Sequence, residues 1–390
     1  MALMPYHVLV SRQVLLDGPM VFFATLSLYL IAKFSYSQKF SWIYLAAASM
    51  GFTFLAKETS IILMGAIYSF LALSPEIKVR IRDIFASIIL WIIVILPFPV
   101  SIALAGSSTT GRNYLAWQLF RRPNHDWSFY ITNVPQAIGI LVIMAAIIGI
   151  FFLWRNRSWK EKLLLCWILI PIAFFQIWPV KGFQYLLPIA PPIAILAGRF
   201  LGLVDKKSFQ IKPLSLFRNE SYFKLFSTVT IVLIVISLFF TSWQRIQPDI
   251  STRFLAGTGG VPGGREAGEW VNEHAPINAT FMTIGPSMAN IIKFYGQRPA
   301  YGLSVSPNPL HRNPSYTPIN NPDAQIRRSE IQYIIWDSFS ASRSTFFSDK
   351  LMGYVRLYNG RAVHTESITT QDQQGNTIIQ PIIIIYEVHP

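Results

Sequence analysis

The segment Ser11-Arg12-Gln13-Val14-Leu15-Leu16-Asp17-Gly18-Pro19-Met20 sets a cation and an acid five residues apart at the mouth of an apolar stretch. Charges that border a membrane span are costly to place and often functional. Five residues of helix turn through about 500°, so Arg12 and Asp17 would not stack as an i,i+4 pair. The chain is expected to break at Asp17-Gly18-Pro19 and start a new helix there. Asp17 then suits an N-cap and Pro19 the first turn, with Arg12 snorkelling to the interface. The chemical alternative makes Arg12 a phosphate-binding cation beside a site carboxylate, Asp17.

Composition says what must position these residues. Of 390 residues, 52% are hydrophobic and 13% charged, where a soluble chain carries about 25% charged residues. This is the balance of a membrane protein diluted by a soluble part. The formal charge of +14 would suit nucleic acid, but the positive residues cluster in short loops between apolar runs, so no nucleic acid is expected. The single cysteine, Cys166, lies in an apolar run and excludes an internal disulfide and a Cys-rich metal site. The N-terminus has no basic stretch ahead of an apolar core, so no signal peptide is expected.

Eight runs are apolar and long enough to span, near 18–36, 41–56, 59–74, 84–105, 134–154, 163–179, 183–204 and 225–242. The third is short enough to be tilted or re-entrant. Residues 1–16 read as an interfacial helix or the stub of a longer one. Loops 33–40, 75–83, 155–162 and 205–224 carry 14 Lys and Arg, against 5 in 57–58, 106–133 and 180–182. The richer set is assigned to the cytoplasm. Arg12, Asp17, Lys57, the 106–133 loop and Lys181 then share the outer face, as does everything after the last span.

Each outer stretch has two readings. Lys57, beside Glu58 in a tight turn, anchors the interface or faces a lipid phosphate. The 106–133 loop holds an amphipathic aromatic segment, Tyr114 to Phe120, suited to lie in the interface. Arg112, Arg121 and Arg122 flank it and would grip a phosphate or attract anionic headgroups. His125 and Asp126 are the pair a divalent metal would use, although two ligands do not make a site. Lys181 and Tyr185 fall in Trp178-Pro179-Val180-Lys181-Gly182-Phe183-Gln184-Tyr185-Leu186-Leu187-Pro188, a Pro- and Gly-broken helix entry. Irregular backbone at this depth is tolerated where it lines a cavity.

From about Gln247 the composition shifts toward Pro, Gly, Asn and Ser, and Gly257 to Gly264 reads as a flexible joint. The domains are therefore set at 1–247 and 248–390. The second is expected to be a small extracytoplasmic α/β domain. Its expected helices are Arg265–Glu273, Ser287–Tyr295 and one near 342–352. Its expected strands are 280–284, 331–336, 354–358, 362–368 and 378–388. The Pro- and Asn-rich segment 304–323 is read as a loop.

Several of these stretches also carry a resemblance. Ser11 to Pro19 with its Phe-rich continuation resembles the S-R-x-x-L-L-D-x-P segment of GT-C superfamily glycosyltransferases that use polyprenyl-phosphate sugars. Bacterial aminoarabinose transferases and protein O-mannosyltransferases are among them. Gly51 to Lys57 fits the family's span ending in a lysine turn, Trp127 to Tyr130 its aromatic helix start, and Lys181 to Pro188 its basic-x-x-x-Tyr-Leu-Leu-Pro element. The resemblance covers most of 1–204 in order and spacing.

It implies a polytopic helical membrane domain of about 8 spans and transfer of a sugar from a polyprenyl-phosphate donor, with inversion, to a lipid, glycan or protein acceptor on the outer face of the cell membrane. It implies Asp17 and Arg12 at the catalytic centre and Lys57, Arg112, Arg121, Arg122, Lys181 and Tyr185 around the donor phosphate. The family's principal acid lies in an outer loop that would fall upstream of residue 1. On that comparison the sequence reads as a member lacking its N-terminal spans, with Asp17 a supporting acid. No cofactor is otherwise called for. Two other functions are weighed, a transporter or flippase of lipid-linked sugars and a non-catalytic scaffold of an envelope glycosylation complex. The first lacks paired similar halves and an acid in mid-span.

Overall fold

The computed structural model describes residues 1–11, 16–104, 123, 125–153, 158–205, 220–246, 261–313, 316–371 and 377–390. These fall into two compact units, one helical and one built on a small sheet.

The helical unit contains α1 (Pro5–Ser11), α2 (Asp17–Ser37), α3 (Ser41–Ala56), α4 (Ile62–Leu73), α5 (Ile81–Ile95) and α6 (Pro97–Leu104). After these come α7 (Phe129–Ile138), α8 (Ile140–Leu153), α9 (Trp159–Ile177), α10 (Ala190–Asp205) and α11 (Glu220–Ile246). Short 3-10 turns at Glu58–Ile61 and Phe183–Ile189 lead into α4 and α10. Helix thus occupies every apolar run. Among the described residues three helices are by themselves long and apolar enough to cross a membrane: Asp17–Ser37, Ile81–Ser101 and Phe183–Gly202. At 1.5 Å per residue the 21 residues of α2 reach roughly 31 Å, about the thickness of a hydrocarbon core.

The run 134–154, expected to be one span, is bent. Helices α7 and α8 meet at 97°, and the break is Gly139, whose φ of +100° suits glycine far better than any residue with a side chain. A Cβ there would also come within 2.5 Å of Leu238 Cδ2 on α11. The N-terminal segment departs from an interfacial helix as well. Met4, Tyr6 and Val10 are buried in the core, and Leu3 O accepts a hydrogen bond from Ser242 Oγ of α11 at 2.8 Å.

Packing explains why small and hydroxylated residues recur in α2 and α3. Gly51 lets α5 approach, since a Cβ there would sit 2.6 Å from Val94 Cγ1. Buried Ser27, Ser35 and Thr53 each donate to a carbonyl one turn back at 2.8–2.9 Å, which satisfies hydroxyls where water is absent. Ser49 donates across the helix pair to Phe23 O at 2.9 Å.

The second unit holds α12 (Gly264–His274), β1 (Phe281–Thr283), α13 (Pro286–Tyr295), β2 (Ala300–Gly302), α14 (Pro322–Arg327), β3 (Tyr333–Asp337), α15 (Ser338–Arg343), α16 (Thr345–Leu357), β4 (Arg361–Gln371) and β5 (Thr377–Glu387). The sheet order is β2-β1-β3-β5-β4. Strands β2, β1 and β3 run parallel, and β5 and β4 join as an antiparallel pair. Alternation assigns the faces. Phe281, Tyr333 and Ile335 pack with α12 and α13 on one side, and Met282 and Ile334 with α14 and α16 on the other. The strand expected at 354–358 is instead the end of α16. Leu351, Val355 and Tyr358 are buried together at helical i, i+4, i+7 spacing, and that period wins over the local alternation. The helix expected near 342–352 divides into α15 and α16. The short β2 and α14 carry little sequence signal.

Candidate functional site

Asp17 opens α2, but Leu16 holds the N-cap position and no side chain caps the helix. The expected Asp17 cap is absent because its carboxylate has a stronger partner. Asp17 Oδ1 accepts from Lys57 Nζ at 2.6 Å, with the two side chains 3% and 15% exposed. In so enclosed a place an ion pair outweighs a neutral N–H bond. Lys57 follows the last residue of α3 with extended backbone, φ −160° and ψ 117°, so the chain leaves the helix axis where the side chain meets α2.

A third segment closes on this pair. The Tyr185 ring lies 5.3 Å from Lys57 Nζ, within cation–π range, and stacks at 5.1 Å on Phe175 of α9. Sequence-distant parts of the chain thus bring Asp17, Lys57 and Tyr185 together. Each was singled out from the sequence, and the tertiary fold makes them one cluster.

The strand of chain that carries Tyr185 is itself held. Tyr130 on α7 is buried, and its hydroxyl donates to Gly182 O and accepts from Gly182 N, both at 3.2 Å. Gln176 Nε2 donates to Trp127 O at 2.7 Å, and Tyr6 of α1 packs on Phe183 with ring centroids 4.2 Å apart. Lys181 is buried. Its Nζ lies 5.5 Å from the Trp127 ring and donates to Trp178 O at 3.4 Å. Next to it, Gln184 Oε1 is buried with no hydrogen-bond partner among the described residues. Buried acceptors are rarely left so, and a ligand hydroxyl is the kind of group that would satisfy it. Trp127, Tyr130, Phe175 and Gln184 were not sequence candidates. The aromatic run 127–130 and the broken entry 178–188 were visible, but nothing in one dimension joins them.

Arg12, Arg112, Arg121 and Arg122 lie outside the described residues. The His125 ring stacks on Phe129 at 4.1 Å, and Asp126 Oδ1 accepts from Ser128 Oγ at 2.9 Å. Among the described residues no group of three His, Cys, Asp or Glu gathers. His125 and Asp126 therefore gain no third such ligand among the described residues.

The described residues thus form a helical unit with three helices long and apolar enough to cross a membrane, and a separate unit built on a small mixed sheet. Residues 1–102 match the family described as dolichyl-phosphate-mannose-protein mannosyltransferase, and residues 124–251 match the Alg9-like mannosyltransferase family. The undecaprenyl phosphate-alpha-4-amino-4-deoxy-L-arabinose arabinosyl transferase of Yersinia pestis is 29% identical over 132 residues, covering 31% of this chain and 24% of the relative. A second such transferase, from Proteus mirabilis, is 30% identical over 95 residues, covering 24% of this chain and 16% of the relative. The matched stretches thus span about a quarter or less of these relatives. The crystal structure of ArnT from Cupriavidus metallidurans in the apo state superposes with a TM-score of 0.62 at 11% identity, over 95% of this chain and 74% of that one. At that identity the likeness speaks for the fold. Together these matches bear out the resemblance to the GT-C superfamily of polyprenyl-phosphate glycosyltransferases.

Proposed function

We propose that this chain acts in a membrane glycosyltransferase that moves a sugar from a polyprenyl-phosphate donor to an acceptor on the outer face of the membrane, with inversion. The observation that carries the reading is the Asp17–Lys57–Tyr185 cluster. Departure of a polyprenyl phosphate develops negative charge on its leaving oxygen, and a prepositioned cation lowers the barrier to that step. Lys57 has three N–H donors and gives one to Asp17, so the others can meet a phosphate. Asp17 is then a positioning residue, consistent with a supporting acid, since its carboxylate is already engaged. Lys181 adds positive charge, and Gln184 Oε1 offers an acceptor to a sugar hydroxyl.

All eight apolar runs cross the membrane, with the α7–α8 pair as a broken span. Residues 248–390 form an outer domain that faces a lipid, glycan or protein acceptor. Arg12, Arg112, Arg121 and Arg122 supply further contacts to the phosphate.

The test is turnover in proteoliposomes supplied with an undecaprenyl-phosphate-linked aminoarabinose and, separately, an undecaprenyl-phosphate-linked hexose, with release of undecaprenyl phosphate as the readout. The expected result is release with one donor class and its loss in Lys57→Met. Tight donor binding with no release in any acceptor mixture overturns the enzyme reading in favour of the scaffold. Movement of intact donor between leaflets overturns it in favour of a flippase.

A further inference from the structure

A cleft opens further along α2 than the Asp17–Lys57 cluster. It has a volume of about 550 Å³ and lies between α2, α9 and α10, within the range of about 300–1,000 Å³ common to ligand pockets. Thr25, the residue of its α2 wall nearest Asp17, is eight residues away, or roughly 12 Å along the helix. The cleft therefore does not merge with the cluster.

Its floor and rim differ in chemistry. Leu28, Leu163 and Leu164 make an apolar floor, with Ile195 at its exposed edge. At the rim stand Tyr29, Trp159, Lys160 and Arg199. Lys160 is exposed, with Nζ 5.8 Å from the Trp159 ring. Lys33 lies just beyond, its Nζ 5.4 Å from the Tyr29 ring. Arg199 pairs with buried Glu161, which also accepts from Ser158 Oγ. Glu161 is thereby satisfied, and the half-exposed guanidinium is fixed at the rim with further N–H donors to offer.

An apolar trough under a rim of two aromatics and three cations matches a lipid whose chains lie in the trough and whose phosphate meets the rim. Aromatic and basic belts of this kind mark the headgroup level. Lys33 and Lys160 belong to the lysine-rich set of stretches read from the sequence as cytoplasmic, where basic residues attract anionic headgroups. We propose that the cleft is a binding site for one anionic glycerophospholipid, held by Lys160, Arg199 and Lys33 and separate from the proposed donor site. This does not rest on the glycosyltransferase reading.

The test is native mass spectrometry of the protein released from micelles containing phosphatidylglycerol, phosphatidylethanolamine, undecaprenyl phosphate or inorganic phosphate. One phosphatidylglycerol should be retained at least about tenfold more strongly than phosphatidylethanolamine, a difference of about 1.4 kcal/mol. Lys160→Glu should abolish that preference with no change in melting temperature in lipid-free micelles, because its side chain is exposed. Ile195→Trp, which fills the trough from its exposed edge, should weaken retention of both phospholipids. Equal retention of the two phospholipids, or unchanged preference in Lys160→Glu, overturns the proposal. So does one-for-one displacement of phosphatidylglycerol by undecaprenyl phosphate, which would mean a single shared site. Competition by inorganic phosphate at equal concentration overturns it too, in favour of a free-anion site.

Discussion

Toward either end of α2 a buried carboxylate holds a cation, Asp17 with Lys57 at the end of α3 and Glu161 of α9 with Arg199 of α10, yet the two pairs are built for different work. At one end Asp17 and Lys57 are sealed among aromatics, with side chains 3% and 15% exposed. At the other, Glu161 is sealed but its partner Arg199 is 31% exposed at the lip of a cleft. A buried pair contributes little net stability, because desolvation offsets attraction, but losing one partner is costly. Such a pair is therefore good at fixing a cation and poor at gluing helices. In the first case the fixed cation is in the interior, where its field is strong. In the second it is part-exposed at the lip of a cleft, and at the headgroup level proposed for that lip water and ions screen it. The C-terminal unit supplies a contrast. Asp337 is wholly buried, caps α15 through Ser340 N at 2.6 Å, and leaves Oδ2 without a partner among the described residues.

The largest effect is expected at the sealed pair. Lys57→Met should lower turnover by about 10²–10³-fold, the scale seen when one prepositioned donor to a developing oxyanion is removed. Asp17→Asn should destabilise the helical unit by about 3–5 kcal/mol, since it strands a buried ammonium. Thermal melts in detergent should then show the double variant Asp17→Asn/Lys57→Met regaining much of that stability while turnover stays lost. If turnover returns with stability, the pair is structural and the comparison of the two ends fails.

Gly139→Ala tests whether the bend matters. It places a side chain at φ +100° and against Leu238, and should cost about 1–3 kcal/mol by overpacking. Donor affinity should fall with it, because α7 carries Tyr130. A melting temperature equal to wild type would mean that the bend relaxes without cost. Tyr130→Phe sharpens the same point. Removing the hydroxyl bridge to Gly182 should cost about 1–3 kcal/mol for the buried groups left unpaired. KM for the donor should rise more than kcat falls, as expected if the bridge positions Lys181 and Tyr185. An effect on kcat alone would argue against positioning.

The smallest effect is expected at the acid with no cation. Burial pushes the Asp337 carboxyl above its usual range. An acid whose folded pKa is raised lowers stability at neutral pH. That penalty fades as pH falls through the raised value toward the unfolded one. Asp337→Asn should therefore slow amide exchange in β3 at pH 7 and leave it unchanged near pH 4. A slowing that is the same at both pH values would trace to packing rather than charge.

Much of the helical unit was legible in advance because membrane spans are written locally. Twenty apolar residues must become helix in a solvent that cannot satisfy a bare backbone. The cluster was legible in part. Asp17, Lys57 and Tyr185 stood out by residue type and motif, and an acid or a lysine beside an apolar run attracts notice. The bend at Gly139 was hidden, since glycine within an apolar run reads equally well as a packing site. In the C-terminal unit β1, β3, β4 and β5, written as runs rich in apolar or β-branched residues, lie near their expected positions. The three-residue β2 was not expected, because its pairing with β1 comes from sheet neighbours rather than from its own sequence.

The sequence by itself determined that this chain is a largely helical membrane protein with α/β-patterned sequence in its C-terminal part, and that one alternating set of stretches between its apolar runs is richer in cations than the other. Hydropathy and charge are sums over neighbours, so one dimension suffices for them. Only the tertiary structure decided that Asp17 holds Lys57 rather than capping its own helix. It also decided that Tyr130 clasps Gly182 and that Arg199 and Lys160 rim a cleft. Those outcomes depend on which groups compete for the same partner in a shared low-dielectric space, and that competition is settled by contacts between residues far apart in the chain.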